Sequence, residues 1–174
     1  MKELVTSRLT VRAIRAEDWR SIQEIWEDVK KTGYHIYDIP KDTGDNAMRE
    51  RISRWAEATE NGSGHVFCAV CLKREVIGFI AFNAIEEGYE IGYGFLNRYQ
   101  GNGYAKESMT AAFEYMKETG AKKITAGTAL KNLPSAALLK SLGFKLMRTE
   151  NISFYKDADG KDIFFEGGMF EKIL

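Results

Sequence analysis

The 174-residue chain predicts a mixed α/β fold, a largely antiparallel central sheet with helices on both faces. Three observations carry that expectation. The hydrophobic period changes along the chain in the order β, α, α, β, β, β, α, β, α, β, β, a layered arrangement and not a strict strand–helix alternation. The three central β segments are joined by short polar connections, Lys73-Arg-Glu75 and Glu86-Glu-Gly88, which is the spacing of an antiparallel meander. The last of them leads into a glycine turn, Gln100-Gly-Asn-Gly-Tyr-Ala105, that opens a helix. With 44% hydrophobic residues and two prolines, residues 1–174 suit a single compact domain.

In chain order, Ser7 to Ile14 alternates, with Leu9, Val11 and Ala13 on one face and Arg8, Thr10 and Arg12 on the other, as a half-buried strand does. Trp19, Ile22, Ile25, Trp26 and Val29 form an amphipathic stripe after the acidic start Glu17-Asp18. Thr32 to Gly44 reads as a loop rich in aromatic and polar side chains, including Tyr34, His35, Tyr37 and Asp38. Its tyrosines either cap the core or touch a ligand, and His35 is a candidate ligand or base. Met48, Ile52, Trp55 and Ala56 mark a second helix that Asn61-Gly-Ser-Gly64 ends. The meander follows as His65 to Leu72, Val76 to Ala84 and Tyr89 to Leu96, then a helix from Ala105 to Lys117 and a strand from Lys123 to Ala129. A short helix from Pro134 to Leu142 stops at Gly143. The tail holds two or three strands, with Asp157-Ala-Asp-Gly160 as a hairpin turn.

Twenty-five basic residues balance 25 acidic ones, so no global field points to nucleic acid or to an anionic membrane. Apolar runs fall well short of the ~20 residues that span a bilayer, and the first residues lack a signal-peptide segment, so a cytoplasmic protein is expected. Cys68 and Cys71 form a CxxC, but in a strand residues i and i+3 point to opposite faces, which predicts two buried structural cysteines. No second CxxC or histidine cluster completes a zinc site, and no metal is expected.

Glycines at 101 and 103 allow a sharp turn and close approach of a ligand to main-chain N–H groups, and the helix that follows adds unpaired donors. The turn alone fits either a phosphate site or a plain surface turn. The P-loop spacing is absent, and Lys106 stands where a dinucleotide fingerprint needs Gly or Ala. Two glycines in Glu90-Ile-Gly-Tyr-Gly-Phe-Leu96 mark a strand that a ligand can approach closely.

Gln100-x-x-Gly103-x-Ala105 resembles the acetyl-CoA pyrophosphate loop of the GNAT superfamily of N-acetyltransferases; a second frame, Arg98-x-x-Gly101-x-Gly103, also fits. Thr6-Ser-Arg-Leu-Thr-Val-Arg12, Glu90-Ile-Gly-Tyr93, Asn132-x-x-Ser135 and Leu142-Gly-Phe144 are similar to the ribosomal-protein alanine N-acetyltransferase branch, in order along nearly the whole chain. The resemblance implies the GNAT fold and an acetyl-CoA-dependent N-acetyltransferase. The pyrophosphate would lie on Gln100, Gly101, Asn102, Gly103, Tyr104 and Ala105, and the pantetheine arm against Phe95 and Leu96 like an added strand. Asn132 would bond the arm, and Lys106 would either add charge near the phosphates or remain a solvated helix residue.

Acetyl transfer needs a base for the ammonium, since α-amines titrate near 8 and lysine amines near 10.4, together with a donor for the oxyanion and a fate for the thiolate. Glu90 is the candidate base if its strand neighbours partly bury it; otherwise it is an exposed strand-end carboxylate. A strand N–H near Phe95 would hold the oxyanion. Many members of the superfamily place a tyrosine acid where this chain has Leu139, so the thiolate service falls to Ser135, which otherwise caps its helix. Tyr34, Tyr37, Asp38, Asn83 and Tyr93 are candidates for the acceptor side. The acceptor is a primary amine, on a protein N-terminus or a small molecule; a homodimer is compatible with the sequence. A non-catalytic acyl-CoA sensor is the competing expectation.

Overall fold

A computed structural model of the chain describes residues 1–174. Its elements run β1 Leu4–Val5, β2 Leu9–Ala13, α1 Trp19–Lys30, α2 Asp45–Glu60, β3 Val66–Leu72, β4 Glu75–Ile85, β5 Gly88–Phe95, α3 Tyr104–Glu118, β6 Lys123–Ala129, α4 Leu133–Ser141, β7 Lys145–Lys156 and β8 Asp162–Ile173. One eight-stranded sheet runs β1-β2-β3-β4-β5-β6-β8-β7, antiparallel at every junction except β5–β6.

Strand alternation sends residues to two separate cores. Cys68, Val70, Ile80 and Phe82 pack with Met109, Phe113 and Met116 of α3 and Leu139 of α4. Phe67, Ala69, Cys71, Phe79 and Ala81 pack on the other face with Trp19, Ile22 and Trp26 of α1 and Met48 and Ile52 of α2. The CxxC thus has one sulfur in each core, and both thiols are free and buried. Burial pushes the Cys68 thiol up to about 12, so neither a shared ligand nor a ready thiolate is on offer.

The order of elements matches the sequence expectation, with four refinements. β1 is too short to leave a periodic signal. The 32–44 loop contains a 3-10 turn, Tyr34–Tyr37. The tail is one long hairpin of two strands, its turn closed by Asp157 N–H to Lys161 O and Gly160 N–H to Asp157 O. Finally, α4 begins at Leu133, with Asn132 as its N-cap and Pro134 in the first turn.

The junction that positions the site is β5–β6. These two strands pair only at Tyr89–Ile124 and Glu90–Thr125, then diverge, while β4 stays paired with β5 as far as Gly78–Phe95. Beyond the divergence, one edge of β5 has lost its neighbour in the middle of the sheet.

Candidate acetyl-CoA and acceptor cleft

The divergence opens a cleft of about 800 Å³, bounded by β5, the glycine turn and the start of α3, by β6 and α4, and by the 32–44 loop. Main-chain groups of successive strand residues point to opposite sides. Leu96 N–H donates to Ile77 O on the β4 side at 3.0 Å, so by alternation the main-chain groups of Phe95 and Tyr93 face the gap. These are the groups an amide-bearing arm can pair with. Leu96 is a correction to the expected set: its carbonyl accepts from Tyr99 N–H at 2.9 Å, its side chain is 1% exposed, and it does not line the cleft.

At one end lies the glycine turn. Gly101 and Gly103 have φ of +76° and +78°, left-handed values that glycine adopts without strain. No protein acceptor takes the N–H of Gly101, Asn102, Gly103, Tyr104, Ala105 or Lys106, so a run of donors and the start of α3 converge there. Gln100, Gly101, Gly103, Tyr104, Ala105 and Lys106 line the cleft. Asn102 does not; its side chain folds back to the carbonyls of Tyr99 (3.2 Å) and Gln100 (3.0 Å) and shapes the turn.

A network outside the cleft holds this turn in place. Arg8 donates to Asn102 O at 3.0 Å, stacks over the Tyr104 ring and pairs with Glu107 at 2.6 Å. The Glu107 carboxylate also accepts from Thr6 Oγ1 (2.6 Å), Ser7 Oγ (3.0 Å) and Arg8 N–H (3.0 Å). Burial opposes its ionisation, but the hydrogen bonds from Thr6, Arg8 and Ser7 win and bring it down to about 2. A carboxylate in the first turn of α3 would otherwise repel an anion at the turn; here it is turned away and neutralised by Arg8.

Midway along the cleft, Tyr93 Oη and Ser135 Oγ lie 2.8 Å apart, bridging β5 and α4. Burial pushes the Tyr93 phenol up to about 12, against the opposing effect of the Ser135 bond, so it is a proton-bearing donor and not a base. Capping of α4 falls to Asn132, whose Oδ1 accepts Ser135 N–H at 3.3 Å, which leaves the Ser135 hydroxyl for Tyr93. Leu139 is fully buried in the core and supplies nothing to the cleft.

Trp26, Trp55, Tyr34, Tyr37 and Tyr155 give the cleft an aromatic wall, and Ala81, Asn83 and Gly92 also line it. Tyr34, Tyr37, Asp38, Asn83 and Tyr93 all line the cleft. Glu90 does not. It pairs opposite Asn83 near the start of β5 and its side chain is exposed, so the partial burial expected for a base is absent. Sequence reasoning left Tyr155, Trp26 and Trp55 out of the site. The two tryptophans carried only the signal of core stripes, and Tyr155 reaches the cleft through a hairpin whose register the sequence does not reveal. No group of three or more His, Cys, Asp or Glu side chains is placed to hold a metal ion.

Residues 8–145 match the family described as the acetyltransferase (GNAT) domain. The uncharacterized N-acetyltransferase p20 of Bacillus licheniformis is 30% identical over 150 residues, 83% of each chain. Among solved structures, a ribosomal-protein-S5-alanine acetyltransferase from Vibrio fischeri superposes with a TM-score of 0.82 at 17% identity, covering 99% of this chain and 97% of that one. A ribosomal L7/L12 α-N-protein acetyltransferase, RimL, in complex with coenzyme A gives 0.80 at 18%, covering 99% and 98%. The fold expected from the resemblance is the one these structures share, and the diverging strands, the glycine turn and the sequence matches agree: the chain belongs to the GNAT family of acetyltransferases and is an N-acetyltransferase.

Proposed function

We propose that the protein transfers an acetyl group from acetyl-CoA directly to a primary amine, with the donor seated on the glycine turn and along the freed edge of β5. The observation that carries this reading is the alignment, in one cleft, of the donor-rich turn, the gap-facing main chain of Tyr93 and Phe95, and the Tyr93–Ser135 hydroxyl pair. The bound thioester supplies an activated acyl carbon. The chain supplies the rest: the run of N–H groups at Gly101 to Lys106 receives the pyrophosphate, Asn132 borders the arm, and the Phe95 N–H is aimed where an oxyanion donor is needed. The Tyr93–Ser135 pair donates a hydrogen bond toward the leaving sulfur. A thiolate with a pKa of about 8.5 leaves tolerably with that help alone.

The acceptor end limits the amine. Its single lining carboxylate, Asp38, is already paired with Lys41, and Lys30 and Arg51 also line the cleft. A polycationic amine finds no free anion there, whereas a protein N-terminus or a small amine with an aromatic or apolar body fits walls of tryptophan and tyrosine. The ribosomal-protein acetyltransferases that share the fold make a peptide N-terminus the first acceptor to try. The reading includes a cytoplasmic location; no helix is long and apolar enough to cross a membrane. Exposure of Glu90 is the observation that would favour a non-catalytic sensor. The deciding experiment is thermal shift with acetyl-CoA followed by thiol release across peptide and small-molecule amines. Stabilisation with turnover is expected; stabilisation without any turnover sinks the transfer reading.

A further inference from the structure

We propose that His35 accepts the proton of the acceptor ammonium. The inference rests on the transfer reading above and names a residue for its first step. Of the side chains lining the cleft, Asp38 is the only carboxylate and His35 the only imidazole; every other titratable group there is a tyrosine, a lysine or an arginine. Asp38 is exposed and held by Lys41. His35 is different. Its Nδ1 is buried and has no hydrogen-bond partner in the protein, the one buried side-chain polar atom of the chain in that condition. With Nδ1 closed off, the ring offers the cleft its Nε2, which has no hydrogen-bond partner in the protein either and is not buried.

The ring is held for such a task. His35 sits in the 3-10 turn Tyr34–Tyr37, where its carbonyl accepts Asp38 N–H at 3.1 Å, and its imidazole stands edge-on to Tyr155 of β7, with ring centres 6.2 Å apart and planes at 89°. The neighbouring Tyr37 packs on Phe165 of β8. Of the charged groups on the elements around the turn, Lys30 pairs with Glu27, Lys31 with Asp28, Lys41 with Asp38 and Lys156 with Asp162, while Arg51, Lys145, Arg148, Glu150 and Glu166 form no ion pair. Tyr34, Tyr37 and Tyr155 are the phenols of the same wall of the cleft.

The step balances as follows. The ammonium proton passes to Nε2, the ring nitrogen that is neither buried nor bonded, directly or through one water, and the freed nitrogen lone pair forms the C–N bond at the thioester carbon. The C–S bond then breaks with its electron pair leaving on sulfur, the second amine proton ends on that sulfur, and the imidazolium returns its proton to solvent.

The test uses the full chain and its two histidines, His35 and His65, of which only His35 lines the cleft. Imidazole 15N NMR, assigned with His65→Asn, needs no acceptor: saturating acetyl-CoA is expected to move the His35 resonances and leave those of His65 in place. An unmoved His35 overturns the proposal. With an amine that wild type acetylates, His35→Gln and His35→Ala are expected to lower kcat by about 10²-fold, the lower end of general-base effects, to keep acetyl-CoA Kd within twofold, and to lose the acidic limb of the pH profile; added imidazole should partly restore His35→Ala. Turnover within twofold of wild type with the same acidic limb overturns the assignment and leaves the transfer reading intact. Absence of turnover by wild type on every amine sinks both.

Discussion

At the scale of residues, the site depends on a few atoms whose partners the sequence does not announce. Tyr93 and Ser135 are 42 positions apart and meet because α4, capped by Asn132, begins at Leu133 across the gap from β5. The motif Asn132-x-x-Ser135 was readable, but the hydroxyl pairing needs the third dimension. Ser135→Ala or Tyr93→Phe should lower kcat about tenfold, the worth of one transition-state hydrogen bond near 1.4 kcal/mol, with acetyl-CoA affinity unchanged by calorimetry. An unaltered kcat in both variants would remove the pair from the chemistry. Gly92 gives a separate handle on the acceptor. A Cβ built there meets nothing within 4 Å, and its φ is not in the left-handed region, so a side chain is accommodated by the fold at a position lining the cleft. Gly92→Leu is therefore expected to retain the thermal stability and acetyl-CoA binding of wild type while raising the amine KM at least about tenfold. An unaffected amine KM would show that the acceptor enters elsewhere.

At the scale of elements, the glycine turn works because the β1–β2 connection and helix α3 brace it. Thr6, Ser7 and Arg8, read in the sequence as the opening of a strand, serve as a socket for Glu107. The ordinary carboxylate value is 4.5 and the folded one is about 2, so the stabilisation is present above pH 4.5 and is lost as pH falls from there towards 2. Urea midpoints measured across that window should decline in wild type, and the decline should be shallower in Glu107→Gln; identical slopes would deny Glu107 this role. The same variant should weaken acetyl-CoA binding, since the turn loses its brace. Directly at the turn, Gly103→Glu combines a left-handed φ with a carboxylate among the free N–H groups, and should abolish acetyl-CoA stabilisation in a thermal shift. Unchanged affinity there would show the site to be misplaced. From β3 to α4 periodicity and turn signals placed the helices and strands to within a residue or two. They could not place Glu90, whose exposure depends on what covers the start of β5.

At the scale of the whole molecule, the three-strand meander and the layer arrangement were legible because tight turns and alternation leave few ways to assemble them with helices on both faces; the placing of β8 between β6 and β7 was not. The long β7–β8 hairpin was less so. β7 is an exposed edge strand with little hydrophobic alternation to set its limits, and its contribution of Tyr155 to the cleft went unseen. Both cysteines, one in each core, make a reporter of global integrity: a thiol reagent should label neither in the native protein and both after denaturation, and rapid native labelling would contradict the two-core packing. The two residue pairs that join β5 to β6 carry a mechanical meaning as well. They are the seam between a lobe of strands β1 to β5 and a lobe of strands β6 to β8, stitched otherwise by side-chain packing through α3 and α4. A molecule lying along that seam sutures the lobes, so loading the donor should slow amide exchange on both banks of the gap together, in β6 as much as in β5.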